Sequence, residues 1–437
     1  MSLISVIGTG YLGATHAAAM AEMGHDVIGI DVDTDKVAAL AAGSAPFYEP
    51  GLDDLLAKQL ASGRLRFSSD PADATAADIH FICVGTPQSP GSDAADTSYV
   101  KAAVDTLAPH LQRPTLVVGK STVPVGTAEQ LAQRLVDRAP AGAEVHLAWN
   151  PEFLREGFAV ADTLNPDRLV IGVTSSEDEK QLAELFEPQL AAGTPMVVTD
   201  YATAELVKVA ANSFLATKIS FINAMAEVCE ATGADVATLA EAIGYDERIG
   251  RRFLRAGIGF GGGCLPKDLR AFTARAGELG LGSTFGFLRQ IDEINMRRRS
   301  RTVEIAAELL PGPLLGARVA VLGVAFKPDS DDVRDSPALN ISAALHLQGA
   351  QVRVYDPKAM ANAQKAFPTL SYVDSAAAAL SGAELVLLLT EWDEFVDLDP
   401  ISTGALVANK IVLDGRNALD RGAWRAAGWT YRGLGLS

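Results

Sequence analysis

The N-terminal segment constrains the fold of this chain more than any other. An apolar run, Leu3–Ile7, enters the glycine turn Gly8-Thr9-Gly10-Tyr11-Leu12-Gly13, and an alanine-rich stretch follows at residues 14–23. Strand, glycine turn and helix in this order are typical of the first unit of a dinucleotide-binding sheet. A second apolar run, Asp26–Ile30, ends on Asp31, close to the ~20-residue offset at which a carboxylate binds the ribose of NAD and repels the extra phosphate of NADP. The segment predicts an NAD site, and a doubly wound fold without a dinucleotide is the plainer alternative.

Three more apolar runs, each interpreted as a strand, end in polar residues. The runs at 79–84, 115–119 and 145–148 are followed by Gly85-Thr86-Pro87, Lys120-Ser121-Thr122 and Asn150-Pro151-Glu152. In an open parallel sheet, ligands bind at the carboxyl ends of the strands. These residue types also favour ordinary turns, so each tripeptide alone is a weak signal. Three in succession favour a binding site at this edge of the sheet.

The middle of the chain has a helical pattern. Residues 201–301 are rich in alanine, leucine and charged residues, with few strand signals. Lys208 and Asn212 are four residues apart in this region and share one helix face. That face is either part of a site or exposed to solvent. The run Arg297-Arg298-Arg299 is more simply interpreted as a solvated helix face.

A second doubly wound pattern follows Pro311-Gly312-Pro313. It predicts a strand at Arg318–Leu322, a helix at Pro337–Leu347, a strand at Gln351–Tyr355 ending on Asp356, and a strand at 385–389. The predicted fold class is therefore α/β, with two Rossmann-like doubly wound domains joined by a central all-helical domain. The predicted boundaries are 1–200 for an NAD-binding domain, 201–301 for a helical dimerisation domain and 312–437 for a C-terminal Rossmann-like domain.

The segment Gly259-Phe260-Gly261-Gly262-Gly263-Cys264-Leu265-Pro266-Lys267-Asp268 carries a candidate nucleophile. Glycines let a ligand approach the backbone closely, and a thiol near a cation ionises more easily and attacks electrophilic carbon. The chain has 3 cysteines, and Cys83 and Cys229 suit the usual role of a buried core residue. A tight turn holding a buried cysteine is the alternative at Cys264.

Composition excludes several classes of protein. The net charge of −17 argues against general nucleic-acid binding and requires local cations, such as Lys327, Arg334 and Arg416, wherever an anion binds. We expect no secretory signal and no membrane span, because no apolar run approaches the ~20 residues that a bilayer needs. Three scattered cysteines, an odd number with no paired spacing, favour the cytoplasm. No spacing of His, Cys or Asp predicts a metal site.

Taken together, the motifs resemble the UDP-glucose 6-dehydrogenase branch of the UDP-glucose/GDP-mannose dehydrogenase family over nearly the entire chain. The resemblance lies in the glycine turn, Val84-Gly85-Thr86-Pro87, residues 120–127 and 150–157, the Lys208 and Asn212 pair, the Cys264 loop and Phe326-Lys327-Pro328. Many relatives have serine at the position of Gly263 and valine at that of Leu12. Neither difference removes a catalytic group.

The resemblance implies NAD as cofactor, UDP-glucose as substrate and a homodimer or larger homo-oligomer. It implies that Cys264 forms a thiohemiacetal and then a thioester, and that Lys208 and Asn212 stabilise oxyanions. Asp268, with a water, would assist the first deprotonation, although either Lys208 or Asp268 could take that proton. Glu152 would be the base for thioester hydrolysis, and Thr122 would help to place the water.

The resemblance also implies two sets of binding residues. Cofactor contacts are expected at Gly8, Gly10, Tyr11, Leu12, Gly13, Asp31, Lys36, Thr86, Thr122, Glu156, Lys267 and Arg334. Substrate contacts are expected at Glu152, Phe153, Leu154, Arg155, Glu156, Lys208, Asn212, Arg255, Phe260, Gly261, Lys327 and Arg416, with Arg248 reaching in from a neighbouring subunit.

Three other functions compete with this interpretation. GDP-mannose and UDP-N-acetyl-mannosamine dehydrogenases share the architecture and the cysteine, but Phe47-Tyr48-Glu49-Pro50-Gly51-Leu52 favours the UDP-glucose branch. Single-step β-hydroxyacid dehydrogenases need neither Cys264 nor the residues beyond Arg318. A non-enzymatic scaffold would not be expected to keep the cysteine, lysine, asparagine, glutamate and aspartate together.

Overall fold

The computed structural model describes residues 2–436, and these form two compact units. The first unit comprises residues 2–211 together with 274–280, and the second comprises 212–273 together with 281–436. No helix among residues 2–436 is long and apolar enough to span a bilayer.

The first unit is built on one eight-stranded sheet. Its strands are β1 (Leu3–Ile7), β2 (Asp26–Ile30), β3 (Leu65–Ser68), β4 (Ile79–Ile82), β5 (Thr115–Gly119), β6 (Val145–Trp149), β7 (Leu169–Gly172) and β8 (Met196–Thr199). Their order is β3-β2-β1-β4-β5-β6-β7-β8, and all neighbours are parallel except β6 and β7. The strand order reverses between β1 and β4, and this switch point is where doubly wound sheets bind dinucleotides.

Helices cover both faces of this sheet. They are α1 (Tyr11–Glu22), α2 (Thr34–Ala41), α3 (Leu52–Ala61), α4 (Ser98–Leu107), α5 (Thr127–Arg138), α6 (Ala159–Leu164), α7 (Ser176–Leu185) and α8 (Glu187–Ala191), with short 3₁₀ turns at Pro71–Ala74, Ala108–His110 and Gly142–Glu144. Ile4 and Val6 of β1 point into the core that α1 covers, whereas Ile82 and Val117 point into a second core under α4 and α5. Small alanine side chains let α1 lie close to the sheet.

Four helices follow the first sheet along the chain. They are α9 (Tyr201–Thr232), α10 (Val236–Gly244), α11 (Leu265–Glu278) and α12 (Gly286–Leu309). The expected solvated face at Arg297-Arg298-Arg299 is wrong for two of the three residues, since Arg298 is 0% and Arg299 5% exposed. Arg298 lies 3.7 Å from Glu227 and 3.8 Å from Glu230 of α9, and this charge compensation makes its burial possible.

The second unit contains a six-stranded parallel sheet. Its strands are β9 (Arg318–Leu322), β10 (Gln351–Tyr355), β11 (Ser371–Tyr372), β12 (Leu385–Leu388), β13 (Ile411–Asp414) and β14 (Thr430–Gly433). Its remaining helices are α13 (Pro337–Leu347), α14 (Met360–Ala366), α15 (Ala376–Leu380), α16 (Asp393–Val396), α17 (Pro400–Gly404) and α18 (Arg421–Ala426). The order β11-β10-β9-β12-β13-β14 repeats that of the first six strands of the first sheet.

The predicted fold class is confirmed. The structure has two Rossmann-like sheets with a helical region between them in the sequence. Several predicted elements, among them β2, β5, β9, β10 and α13, have the expected bounds. The three domain boundaries remain predictions.

Candidate active site

The glycine turn lies at the switch point of the first sheet. Gly8 has φ +87°, and a Cβ there would lie 2.6 Å from Cγ1 of Val84, so only glycine fits. A Cβ at Gly13 would lie 1.8 Å from the carbonyl oxygen of Gly8, which explains how α1 packs against the turn. Gly10 is different, because a Cβ built there meets nothing within 4 Å. The backbone at Gly10 is thus open at the N-terminus of α1, where dinucleotide-binding folds hold the pyrophosphate.

A buried carboxylate closes this turn. Asp31, at the end of β2, accepts hydrogen bonds from the backbone nitrogens of Thr9 at 2.8 Å and Asp33 at 3.1 Å. Lys36 lies 2.9 Å from the same carboxylate. Burial by itself would raise the pKa of Asp31, but Lys36 and the backbone donors outweigh it, so the pKa lies below its ordinary value. The carboxylate is therefore charged at neutral pH, as ribose recognition in NAD requires.

Polar residues after β4 and β5 form a connected edge. Thr86 donates to the carbonyl of Thr122 at 2.7 Å, and Ser121 donates to that of Val84 at 2.7 Å. Lys120, 8% exposed, donates to the Asn150 side chain at 2.9 Å. Burial lowers the pKa of Lys120. These bonds fix the predicted water-positioning residue, Thr122, relative to the neighbouring strand ends.

Glu152 and Lys208 are paired within the first unit. Their Oε1 and Nζ atoms are 2.9 Å apart, and the lysine side chain is only 5% exposed. Glu152 also accepts from the backbone nitrogen of Leu154 at 2.7 Å, so its position is set by its own loop. The ring of Phe153 lies under the guanidinium of Arg168, 3.9 Å from its centroid. Lys208 is therefore buried and paired, and the solvated-face alternative does not apply to it.

Other predicted first-unit residues lie on the same loop or near it. Tyr11 donates its hydroxyl to Glu49, which also accepts from the backbone nitrogens of Gly157 at 2.6 Å and Ala159 at 2.7 Å. Glu156 is buried. Arg155 is largely exposed and binds Asp162 at 2.6 Å.

Cys264 immediately precedes α11 in the second unit. Its carbonyl accepts from Asp268 at 2.9 Å, which closes the first helical turn, and the residue is partly exposed. The partial positive charge at a helix N-terminus favours a thiolate. Burial raises the pKa of Cys83 to about 12 and also raises that of Cys229. Those two thiols are buried core residues, as predicted, and Cys264 is the accessible one.

Asp268, in the first turn of α11, is surrounded by polar groups. Its carboxylate is 1% exposed, accepts from Nδ2 of Asn212 at 2.7 Å and lies 2.6 Å from Nζ of Lys267. Asn212 lies one turn after Lys208 on α9. This bond uses one N–H of the Asn212 amide. Because the amide is planar, the bond also fixes the direction of the second N–H. Lys267, which is expected to contact the cofactor, is paired with Asp268.

The predicted substrate residues of the second unit differ in how firmly they are held. Arg416 donates to the carbonyls of Leu389 at 2.8 Å, Phe326 at 2.8 Å and Gly259 at 3.3 Å, and burial lowers its pKa. Arg255 donates to the carbonyl of Asn417 at 3.3 Å.

Two other predicted arginines are more exposed. Arg334 is 65% exposed and binds Asp332 at 2.7 Å. Arg248 is 89% exposed and binds Asp246 at 2.7 Å. Lys327 follows Phe326, and its Nζ lies 5.8 Å from the centroid of that ring.

Sequence reasoning missed two asparagines that hold the cysteine loop. Asn295, 0% exposed, accepts from the nitrogen of Phe260 at 2.8 Å and donates to its carbonyl at 3.0 Å. Asn223, also 0% exposed, accepts from the nitrogen of Gly257 at 2.9 Å. Both lie on long helices, where an isolated asparagine is the sort of signal that marks a buried polar contact.

A third missed residue supports the Thr122 loop. Glu205, 2% exposed, accepts from the backbone nitrogens of Gly126 and Ala128, each at 2.7 Å, and so caps α5. It precedes Lys208 by three residues and therefore shares its helix face. Burial raises the pKa of Glu205 to about 7, although the backbone donors oppose the shift.

Comparison with known proteins defines the family. Three models of the UDP-glucose/GDP-mannose dehydrogenase family match: the NAD binding domain at residues 2–190, the central domain at 202–297 and the UDP binding domain at 320–421. The chain belongs to the UDP-glucose/GDP-mannose dehydrogenase family, and its cofactor is NAD. The predicted family and cofactor are confirmed.

Individual relatives match over nearly their full length. The chain is 42% identical to the UDP-glucose 6-dehydrogenase TuaD of Bacillus subtilis (strain 168), covering 100% of this chain and 93% of that protein. A UDP-glucose dehydrogenase structure from Pyrobaculum islandicum matches with TM-score 0.91 and 39% identity, covering 100% and 98%. A UDP-D-ManNAc dehydrogenase structure from Pyrococcus horikoshii matches with TM-score 0.85 and 29% identity, covering 99% of each chain.

The raised pKa of Glu205 predicts a pH-dependent stability. Between the unfolded value of 4.5 and the folded value of about 7, the folded state binds more protons than the unfolded state. Stability from this group is therefore complete below pH 4.5 and lost as pH rises through about 7. Relative to Glu205→Gln, the wild-type free energy of unfolding should fall by up to ~1.4 kcal/mol per pH unit across this window.

Urea unfolding of both proteins between pH 4.5 and 8 measures this difference. Glu129→Gln is the matched control, because Glu129 is an exposed acid in the first turn of α5, the helix that Glu205 caps. A wild-type minus Glu205→Gln difference that stays constant with pH would contradict the assignment.

Proposed function

We propose that this protein oxidises UDP-glucose to UDP-glucuronate, using two NAD⁺ for each sugar. The observation that carries the proposal is the accessible Cys264, which lies at the N-terminus of α11 with Asp268 and Asn212 nearby. A dehydrogenase that stops at a carbonyl needs no nucleophile, whereas one that continues to a carboxylate must retain an aldehyde. Relatives named UDP-glucose 6-dehydrogenase at about 40% identity over the full chain support this substrate.

The chemistry balances in three steps. Bound NAD⁺ supplies the hydride acceptor for each of two successive oxidations. In the first, the C6 hydroxyl loses a proton and C6 loses a hydride, which leaves an aldehyde. The Cys264 sulfur then adds to the aldehyde carbon, and loss of a second hydride and a proton converts the thiohemiacetal into a thioester. Water breaks the C–S bond and releases the carboxylate and the thiol.

The protein groups divide the remaining work. Lys208 and the second N–H of the oriented Asn212 amide stabilise oxygen anions at C6. The first proton goes to Lys208, or to Asp268 through a water. Glu152 removes a proton from the hydrolytic water, because its carboxylate is fixed by Leu154 and its charge is balanced by Lys208. Thr122, held through Thr86, helps to place that water.

Each of the three regions has its own part in this proposal. Residues 1–200 bind NAD through the glycine turn, Asp31 and Lys36, with Thr86, Glu156, Lys267 and Arg334 completing the cofactor site. Residues 312–437 bind the UDP portion with Lys327 and Arg416. The substrate site also includes residues 152–156, Arg255, Phe260 and Gly261. An odd number of cysteines, Cys83, Cys229 and Cys264, without paired spacing supports a cytoplasmic location.

Residues 201–301 form a dimerisation domain in this proposal. Phe214, Phe221 and Val228 of α9 are 68%, 50% and 51% exposed and recur every seventh residue. Apolar side chains at this spacing lie along one stripe of a helix, and such a stripe favours packing against another helix. A second copy of the chain would cover the stripe and bring Arg248 to the neighbouring site.

UDP-N-acetyl-mannosamine is the second candidate substrate, because the Pyrococcus horikoshii structure shares the whole architecture at 29% identity. The higher identity of the UDP-glucose dehydrogenases favours UDP-glucose.

The first test is the yield of NADH from a limiting amount of nucleotide sugar. We expect two NADH per UDP-glucose, and fewer from GDP-mannose or UDP-N-acetyl-mannosamine. Cys264→Ser should yield no more than one, because a serine hydroxyl does not replace the thiolate as the nucleophile. Cys229→Ser is the matched control and should yield two. Normal turnover by Cys264→Ser would disprove the covalent mechanism, and a yield of two only with another sugar would change the substrate.

Glu152→Gln should separate oxidation from hydrolysis. Without a carboxylate to activate water, the thioester on Cys264 should persist, and the variant should release a burst of two NADH per site before slowing by about 100-fold or more. Intact-protein mass spectrometry would show the covalent adduct, and Glu129→Gln should show none. An adduct-free variant with a normal steady-state rate would exclude Glu152 as the base.

The exposed stripe on α9 predicts the effect of a charge at its centre. Phe221→Asp should convert the wild-type oligomer into monomers, because a buried unpaired carboxylate opposes association. Light scattering after gel filtration measures the mass. Leu347→Asp, at an 84% exposed leucine of α13, is the matched control. A Phe221→Asp variant with the wild-type mass would show that the interface lies elsewhere.

A further inference from the structure

The three glycines before the cysteine are covered by the loop that precedes α13. The nitrogen of Gly262 donates to the carbonyl of Arg334 at 2.9 Å. A Cβ at Gly261 would lie 2.4 Å from the carbonyl oxygen of Asp335, and one at Gly263 would lie 2.3 Å from the guanidinium carbon of Arg334. The backbone at 334–335 therefore limits the path that the glycine loop can take to Cys264.

Asp335 is held in place by two arginines from two helices. Nη1 of Arg270, on α11, lies 3.0 Å from one carboxylate oxygen, and Nη1 of Arg299, on α12, lies 2.7 Å from the other. Arg299 also donates to the carbonyls of Asp335 at 3.3 Å and Phe260 at 3.4 Å. The Asp335 carboxylate thus connects α11, α12 and the backbone that covers the glycines.

The backbone of Asp335 is unusual as well. Its φ of 47° lies in the left-handed region, which aspartate and asparagine tolerate better than most residues. The two guanidinium contacts hold the residue in this conformation. A neutral residue that tolerates the left-handed region would therefore weaken the contacts with Arg270 and Arg299 and leave the backbone conformation of Asp335 unchanged.

We propose that Asp335 is a positioning residue for Cys264, which it fixes through Arg270, Arg299 and the covering backbone at 334–335. The proposal rests on the covalent role of Cys264 in the proposed function. Asp335 acts on the alignment of the thiol with the C6 carbon rather than on binding of either substrate. Small errors in such alignment reduce the rate of reaction strongly.

Asp335→Asn tests the proposal. Asparagine keeps the size and the left-handed backbone but loses the charge, and its NH₂ would face an arginine. We expect kcat to fall by about tenfold, while KM for NAD⁺ and for UDP-glucose change by less than about twofold. In hydrogen exchange, peptides covering 259–264 should exchange faster, because the bond from Gly262 to Arg334 is weakened.

Asp292→Asn is the matched control. Asp292 has the same 22% exposure as Asp335 and binds the same arginine at 2.8 Å, but it belongs to α12 and not to the covering loop. It should leave kcat and the exchange of 259–264 within about twofold of the wild type. If Asp335→Asn does not fold, Arg270→Lys is the second variant. It removes the guanidinium that contacts Asp335 and should reproduce the loss of kcat at unchanged KM.

Equal kcat and equal exchange in Asp335→Asn and Asp292→Asn would overturn the proposal. Loss of affinity with unchanged kcat would overturn it too, because it would assign Asp335 to binding. If the wild type did not oxidise UDP-glucose, the proposed function would be wrong. The exchange comparison would still decide whether Asp335 orders the glycine loop.

Discussion

Both sheets depend on a buried carboxylate at the end of their second strand. Asp31 binds the nitrogen of Thr9 at 2.8 Å, and Asp356 binds that of Val324 at 2.8 Å. In each case the carboxylate ties the loop after the first strand to the end of the second strand. Asp356 goes further and accepts from the nitrogens of Ala325, Lys358 and Ala359 and from the indole of Trp392. Without these bonds, several buried donors at the switch point would lack partners.

The connection after the first strand distinguishes the two sheets. In the first, α1 begins at Tyr11, directly after the glycine turn, and leaves space for a dinucleotide beside Gly10. In the second, α13 begins only at Pro337, and the longer loop after Gly323 covers the glycines of the cysteine loop. The same sheet topology therefore forms an NAD binding domain in one unit and supports the cysteine loop in the other.

The sequence was informative where local chemistry dictates structure. The glycine turn, Asp31, the long apolar strands and the Cys264 loop each follow from backbone sterics or hydrophobic runs within a few residues. Short strands such as β11, Ser371–Tyr372, give almost no such signal. Arg298 was misjudged because the glutamates that compensate its charge lie on another helix, about 70 residues earlier in the chain. Asn295, Glu205 and Asp335 were missed for the same reason, since their hydrogen-bond partners are distant in sequence.

Each unit holds an acid–lysine pair among the residues of the proposed site. Glu152 and Lys208 form a largely buried pair in the first unit, with Oε1 and Nζ 2.9 Å apart. In the second unit, Asp268 is paired with Lys267 and accepts a hydrogen bond from Asn212, so these polar groups meet one turn after Cys264. In each unit, a lysine thus compensates a carboxylate that would otherwise be buried without a counter-charge.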